Sequence, residues 1–594
     1  MRLAFCLLLC APAFAPSLVW AAKPNVIVIL ADDLGAVDLG CYGSTFHKTP
    51  HLDRMAKEGL RFTRFYASCP VCSPTRAALM TGKNPTRLGI TDWLPGRPDN
   101  PQQPLARPKL PQQLPLEELT LAERFKAAGY ATAHVGKWHL GGDGFGPEKQ
   151  GFDLNIAGDH TGTPRSYFAP FRNKQGTMPG LDKAPEGQYL TDRLTDEALA
   201  WMATPREKPF FLYLAHYAPH TPMRAKKELI AKYPAGTAIG KQANGTYAAM
   251  VESLDESVGR ILEHLRKTKQ DANTWVVFTS DNGGLSTLEG PNTPATFNGP
   301  FREGKGHLYE GGIRVPCLVW RPGTVKPGVT DQLAITADLV PTLLAGCDVP
   351  LRDKLDGVDL SAALTGKKVE RGPLFWHYPH YANQGSRPGA CIHDGEYKLI
   401  EFYGDNRREL FHVAKDIRET RNLAGEQPER VATMAAKLEA WRKEVGAKRP
   451  TANPDYRPNP PDNKGVHLLH ARTARVHGTQ LRYEPLPHKA TLGFWTEAND
   501  FATWELTVTQ PGKYRVEILQ GCGTGNGGSS VELAVGKERL TFEVKDTGGW
   551  QKFEPREIGS LTLAAGRQTL TVKPLKKAKA AVMDLRQIRL IPER

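Results

Sequence analysis

The chain has 594 residues, 40% hydrophobic and 24% charged, a balance that excludes a disordered or fibrous polypeptide and, at this length, a single core. Two or three domains are expected. The formal charge of +14, from 77 basic and 63 acidic residues, is spread out, with only short clusters such as Lys576-Lys577-Ala578-Lys579; that is too thin for a nucleic-acid arm, but a basic surface favours polyanionic substrates.

Residues 1–22 read as a signal peptide: Arg2, an apolar run from Leu3 to Leu9, then Val19-Trp20-Ala21-Ala22 with small residues for cleavage. Export to a periplasm or the medium is expected. Cys10 follows Leu9 rather than a small residue, which argues against a lipid anchor. No later stretch reaches the roughly eighteen apolar residues of a membrane span. The cysteines beyond residue 22, at 41, 69, 72, 317, 347, 391 and 522, have no spacing that reads as a disulfide framework.

Asn25-Val26-Ile27-Val28-Ile29-Leu30 is a continuous apolar run, suited to a strand buried on both faces. It stops at Ala31-Asp32-Asp33. Adjacent carboxylates there either cap a turn or hold a hard divalent cation. In open α/β sheets, sites gather at the carboxyl ends of strands. Thr49-Pro50 opens a helix with Leu52, Met55 and Leu60 at helical spacing.

The stretch Ser68-Cys69-Pro70-Val71-Cys72-Ser73-Pro74-Thr75-Arg76 leads through Ala77-Ala78-Leu79-Met80-Thr81 to Gly82. Ser73 suits the N-cap, Pro74 the first helical position and Gly82 the stop. Cys72 then sits at a helix head, where free N–H groups and the dipole favour negative charge, and Arg76 adds a cation. The cysteine is a buried structural thiol, a thiolate nucleophile that needs a histidine partner, or a residue destined for modification.

Thr120-Leu121-Ala122-Glu123 forms a capping box whose helix stops at Gly129. The strand Ala131 to Val135 follows, then Gly136-Lys137-Trp138-His139-Leu140-Gly141-Gly142, where glycines let Lys137 and His139 approach a ligand. Helices are expected around Tyr189 to Ala203 and Thr246 to Thr268. Between them, Phe210 to Leu214 reads as a strand running into His216-Tyr217-Ala218-Pro219-His220-Thr221-Pro222. The apolar run Thr274 to Thr279 ends in Ser280-Asp281-Asn282-Gly283-Gly284 and repeats the pattern of the first strand. Together Asp32, Asp33, Asp281 and Asn282 suit calcium better than a soft metal. Lys305 lies between Gly304 and Gly306, ahead of the strand Cys317 to Trp320.

A helix is expected from Ala334 to Ala345. Short strands such as Glu396 to Ile400 and a helix from Pro428 to Val445 suggest a smaller α+β lobe from about residue 370. Residues 448–465 are Pro-rich, a linker by composition. Beyond them, Trp504 to Val508, Tyr514 to Ile518, Ser530 to Val535 and Thr569 to Val572 alternate with period two, the pattern of a β-sandwich. That region, 466–594, resembles the carbohydrate-binding-module sandwiches appended to glycan enzymes. Trp495 and Trp550 are candidates for a sugar platform or for the core; Trp504 reads as core.

Cys72-x-Pro74-x-Arg76 followed by Ala-Ala-Leu-Met-Thr-Gly resembles the signature of the formylglycine-dependent sulfatases, with Thr75 where the commonest family form has serine. The constellation fits that family from Lys23 to about Pro450, nearest to bacterial polysaccharide and N-acetylgalactosamine-type sulfatases. The resemblance implies an alkaline-phosphatase-like α/β fold, its mostly parallel sheet flanked by helices. A maturing enzyme would oxidise Cys72 to an aldehyde whose hydrate is the nucleophile. Asp32, Asp33, Asp281 and Asn282 would bind calcium, with position 72 completing its shell. Arg76 and Lys137 would hold the diol, His139 would take a proton during sulfate release, and His220 and Lys305 would grip the sulfate. The implied substrate is a sulfated glycan. His377 and His380 of His377-Tyr378-Pro379-His380-Tyr381, with Trp93 beside Asp92, are candidates for the sugar pocket. The alternatives are a phosphonate or phosphate ester hydrolase of the same superfamily and a non-catalytic glycan-binding protein.

Overall fold

The computed structural model describes residues 23–174, 176–484, 486 and 488–593; the expected signal peptide, 1–22, lies outside them. Strand β1 (Asn25–Ala31) is buried throughout apart from Asn25. Its alternate side chains feed different cores: Ile27, Ile29 and Ala31 enter one, Val26, Val28 and Leu30 the other. Such a strand belongs at the centre of a sheet covered on both faces.

The other strands of that sheet are β2 (Leu60–Phe62), β3 (Ala131–Gly136), β4 (Leu154–Ile156), β5 (Phe210–Ala215), β6 (Thr274–Ser280), β7 (Cys317–Trp320) and β8 (Gly328–Thr330). Their order is β8-β2-β7-β6-β1-β5-β3-β4. The run from β6 to β4 is parallel, and β7 is antiparallel to both of its neighbours.

Helices α1 (Pro50–Glu58), α2 (Cys72–Thr81), α3 (Leu121–Ala127), α4 (Leu190–Ala203), α5 (Gly245–Lys267) and α6 (Leu339–Ala345) cover the two faces. Leu194 of α4 and Val251, Leu254 and Ile261 of α5 pack on the first core, and Leu79 of α2, Phe125 of α3 and Leu343 of α6 on the second. Each such side chain contributes about 1.5–3 kcal/mol by leaving water. The capping box of α3 is present in both directions, between Thr120 and Glu123.

Three local expectations are corrected. Helix α1 stops at Glu58, so Leu60, expected on it, opens β2 instead. Helix α2 begins at Cys72 with extended Val71 as its N-cap, and Ser73 does not cap it. The Ser73 hydroxyl instead donates to the His139 carbonyl at 3.0 Å and accepts from Leu94 N at 3.1 Å. The helix expected from Ala334 is shorter: Ala334–Ile335 pairs as a strand with Phe65–Tyr66, and α6 starts at Leu339.

The smaller lobe is a four-stranded antiparallel sheet, Leu374–Tyr378, Gly389–Asp394, Tyr397–Phe402 and Arg408–His412. Helix α7 (Pro428–Glu444) covers one face through Met434 and Leu438. The other face packs Trp376, Cys391 and Ile400 against Tyr66, Val71 and Ala78 of the larger domain.

Residues 467–592 form two antiparallel sheets around one core. Trp495 and Trp504 are fully buried there, so Trp495 offers no face to a sugar; Trp550 is half-buried against the same core. The Pro-rich stretch before the sandwich is a strap bound to its neighbours. Thr451–Ala452 pairs with Leu105–Ala106, and Asn453 Nδ2 donates to the carbonyls of Asn100 and Gln103 at 3.1 and 2.9 Å. Asn459 Nδ2 donates to the Glu505 carbonyl at 2.7 Å.

Candidate active site

Register alone brings the strand tips together. Ala31 pairs with Ser280, Leu30 with Ala215, and Gly136 with Ala215. Asp32, Asp281 and Lys137 are each the next residue after a strand end, on one rim of one sheet. The turn at β1 is left-handed at Asp33, with φ of 65°. It is held by Asp33 N donating to Asp281 Oδ1 at 3.2 Å and by the Tyr247 hydroxyl donating to the Asp33 carbonyl at 3.2 Å.

Helix α2 delivers Cys72 to the same rim. The thiol is buried and donates to Asp32 Oδ1 at 3.6 Å, and burial raises its pKa well above the usual range. As a plain thiol it is a weak nucleophile. One turn on, Arg76 forks onto Asp281 Oδ2 through Nε at 3.0 Å and Nη2 at 2.7 Å, and its Nη1 donates to the Lys137 carbonyl at 3.0 Å. Lys137 Nζ sits 2.7 Å from Asp32 Oδ2. Lys305 Nζ sits 2.8 Å from Asp33 Oδ2 and 3.1 Å from His220 Nε2.

These pairings set the charges. Burial would raise Asp33, but the Lys305 ammonium and then His220 hold it down at about 2. Burial, then the charge of Asp32, pushes Asp281 up to about 6. Burial, then the Lys305 charge, lowers His220 to about 4, so the proton of that pair rests on Lys305. His220 Nδ1 faces the Thr221 carbonyl at 2.7 Å, which only accepts; the neutral ring therefore keeps its lone pair on Nε2.

His139 is fixed by the same logic. Its Nε2 lies 2.7 Å from the Leu94 carbonyl, so that nitrogen carries the hydrogen and Nδ1 the free lone pair. Nδ1 is buried with no partner among the described residues, and burial together with the Lys137 charge keeps the ring's pKa well below its ordinary value. Gly162 makes room for the ring, since a Cβ there would lie 2.5 Å from His139 Cε1.

The donor set suits a hard cation. Ligand atoms of Asp32, Asp33, Cys72 and His220 all lie within 4.8 Å of one another. Asn282 Nδ2 donates to Asp33 Oδ1 at 2.7 Å, while its Oδ1 is buried without a partner among the described residues. The two carboxylates and the amide oxygen are ligands for calcium or magnesium, the thiol and imidazole of the same cluster are softer donors, and Asp281, whose oxygens are taken by Arg76 and Asp33 N, is not among the grouped atoms.

The three residues expected at the sugar pocket are placed differently. Both ring nitrogens of His377 are taken up, by Tyr403 Oη at 2.7 Å and the Lys448 carbonyl at 3.0 Å. His380 is buried, its Nε2 2.8 Å from Thr91 Oγ1 and its Nδ1 3.8 Å from Asp92 Oδ2. Trp93 is half-buried against the lobe's core. Sequence reading missed Ser73, Leu94 and Gly162, which orient His139, and Tyr247 behind Asp33. These contacts join segments far apart in the chain and carry no local motif.

A buried cysteine at a helix head, clustered carboxylates and a paired lysine and histidine thus meet at one rim of a mostly parallel sheet. The chain belongs to the sulfatase family, whose members are sulfuric ester hydrolases: the family signature "Sulfatase" matches residues 24–349. A second, "N-sulphoglucosamine sulphohydrolase, C-terminal", matches residues 303–444, and both end before the sandwich. The chain is 35% identical over 428 residues to the N-acetylgalactosamine-6-sulfatase of Canis lupus familiaris, covering 68% of this chain and 76% of that protein. It is 32% identical over 498 residues to a sulfatase of Formosa agariphila, covering 70% and 88%. Among solved structures it resembles Ps i-CgsB in complex with k-i-k-neocarrahexaose, with a TM-score of 0.60, 32% identity and coverage of 70% of this chain and 92% of that one.

Proposed function

We propose that this is an exported sulfatase that cleaves sulfate monoesters of a sulfated glycan, using Cys72 after its oxidation to formylglycine and a calcium ion held by Asp32, Asp33, Asp281 and Asn282. The observation that carries this is the convergence at Cys72: Asp32, Asp33 and His220 present donor atoms within 4.8 Å of one another and of its sulfur, beside the unpartnered Asn282 Oδ1. The signal-like residues 1–22 support export, and relatives named for galactosamine sulfate and crystallised with a carrageenan oligosaccharide support a glycan substrate.

Oxidised Cys72 would supply a hydrated aldehyde with two hydroxyls, and a cation held by the acidic residues would supply divalent charge beside the ester's oxygens. The remaining work falls to the chain's own residues. Lys305 holds the ester's oxygens and, carrying the shared proton, is the donor nearest to hand for the departing oxygen, while the neutral His220 accepts from it through Nε2 and fixes its position, a correction to the expected grip of His220 on the sulfate. Arg76 and Lys137 fix the cradle through Asp281 and Asp32 and keep positive charge at the nucleophile. His139 Nδ1 receives the proton released in the second half of the reaction, with Nε2 anchored on Leu94.

Mass spectrometry tests the nucleophile. The Cys72 peptide, from a host with maturation machinery, should be about 18 Da lighter than its thiol form. Cys72→Ala and Asp281→Ala should each abolish turnover of nitrophenyl sulfate in folded protein. An unmodified cysteine in fully active enzyme, or faster turnover of nitrophenyl phosphate than of the sulfate, would overturn the reading.

A further inference from the structure

Two side chains beside the loop that carries Lys305 have no part in the chemistry above. Lys305 N donates to the Gly284 carbonyl at 3.1 Å, and Gly306 N to the Pro70 carbonyl at 2.8 Å. The loop carrying Lys305 is thus laced between the loop after Asn282 and the segment leading into Cys72. Glu289 lies on the first of these loops, its N–H donating to Thr293 Oγ1 at 2.8 Å. Its carboxylate is one of the charges that act on the Lys305 ammonium. Gln384, from the lobe, lies against Gly306: a Cβ built there would meet Gln384 Oε1 at 2.5 Å. Gln384 Nε2 donates to Glu289 Oε2 at 2.8 Å. The Gln384 loop is itself held by Arg97 Nη1 donating to the Ala382 carbonyl at 2.9 Å.

We propose that Glu289 and Gln384 are the specificity pair for the sugar that carries the ester, accepting hydroxyls next to the sulfate and turning away a second anionic group there. The proposal rests on the sulfatase reading above and adds the substrate class: a hexose with a single sulfate and free neighbouring hydroxyls.

With one N–H of Gln384 Nε2 engaged on Glu289, the atoms left over are Gln384 Oε1, the second N–H of Gln384 and Glu289 Oε1. The Glu289 carboxylate is an acceptor only, so it matches the O–H donors of a sugar. A neighbouring sulfate or uronate has no donor to offer and would meet the Glu289 charge. Lys305, the residue before the Gly306 that Gln384 touches, takes the scissile sulfate.

The test compares wild type, Glu289→Gln and Gln384→Ala as full-length enzymes, with the converted fraction of Cys72 measured by mass spectrometry. Nitrophenyl sulfate gives the reference rate. Each enzyme is assayed on galactose 6-sulfate, N-acetylgalactosamine 6-sulfate and glucosamine 6-sulfate, and on N-acetylgalactosamine 4,6-disulfate. In Gln384→Ala, the ratio of kcat/KM on the best monosulfated sugar to that on nitrophenyl sulfate should fall about ten-fold or more, the scale of a lost hydrogen bond with a charged partner. In Glu289→Gln, turnover of the disulfated sugar relative to the monosulfated one should rise by a similar factor. Unchanged ratios in both variants overturn the proposal, as does a wild type that prefers the disulfated sugar or turns over no monosulfated hexose. Failure of the wild type on nitrophenyl sulfate and every sugar would strike the sulfatase reading itself.

Discussion

His139 owes its position to groups that each do one thing. The Ser73 hydroxyl binds its carbonyl, the Leu94 carbonyl binds its Nε2, and Gly162 leaves space for its ring. Ser73→Ala should therefore slow turnover more than it lowers stability, and Ser73→Thr, which keeps the hydroxyl, should restore most of the rate. Rates per converted Cys72, read beside thermal midpoints, check this; equal damage in both variants would deny the hydroxyl its part. Asn282→Leu removes the unpartnered oxygen at nearly constant volume. Calcium retained after dialysis, counted by elemental analysis, should drop well below that of the wild type. At this scale the sequence was legible where polar residues followed a strand directly, as at Asp32-Asp33 and Asp281-Asn282, which the structure brings to one rim. It was silent on Ser73, whose hydroxyl chose distant carbonyl and amide partners over the cap position that its place in the chain suggested.

Elements were the most readable level. Runs buried on both faces, such as β1 and β6, announce themselves by unbroken hydrophobicity, and the capping box of α3 by spacing alone. What composition could not give is register, and register makes the site. Gly136 marks its tightest point: it has φ of 115°, and a Cβ there would lie 1.8 Å from the Ala215 carbonyl. Gly136→Ala should part β3 from β5 and misplace Lys137, abolishing activity and lowering the thermal midpoint by several degrees or more.

A second prediction at this scale concerns how α1 docks on α5. Asp255 accepts from Leu52 N at 2.7 Å and His51 N at 3.2 Å, and burial pushes its carboxyl up to about 7. Between the ordinary carboxylate range and pH 7 the folded protein therefore holds a proton there that the unfolded chain has released. The folded state binds more protons, so this group's contribution to stability falls as pH rises through that window. The thermal midpoint of the wild type should fall more from pH 5 to 7.5 than that of Asp255→Asn, as measured by calorimetry; parallel curves would place the carboxyl's pKa in its ordinary range.

For the whole molecule, the three-part division was visible as changes of texture along the sequence, but the strength of the joints was not. Residues 448–465 read as a Pro-rich linker, and polar side chains between the prolines bind neighbouring backbone. The sandwich is also fastened from the lobe side: Arg387 Nη2 donates to the Arg472 carbonyl at 3.0 Å, and Arg482 Nη1 to the Thr420 carbonyl at 3.2 Å. Arg482 and Glu484 also act electrostatically on Glu303, two residues before Lys305. Replacing Arg387 and Arg482 together by alanine in the full chain should lower the thermal midpoint and raise KM for nitrophenyl sulfate. A loss confined to polymeric substrates would instead mark the sandwich as a targeting module with no hold on the catalytic loop.

The parallel strands at the middle of the sheet also give the molecule a front and a back. Every group assigned to the chemistry stands where these strands finish, while Asn25, Phe210 and Thr274 mark where they start, paired side by side at the opposite edge. Lys23 leads straight into that rear edge. A support grafted through residue 23 would thus hold the enzyme from behind, leaving its mouth toward the solution and free to meet a polymer too large to diffuse beneath it.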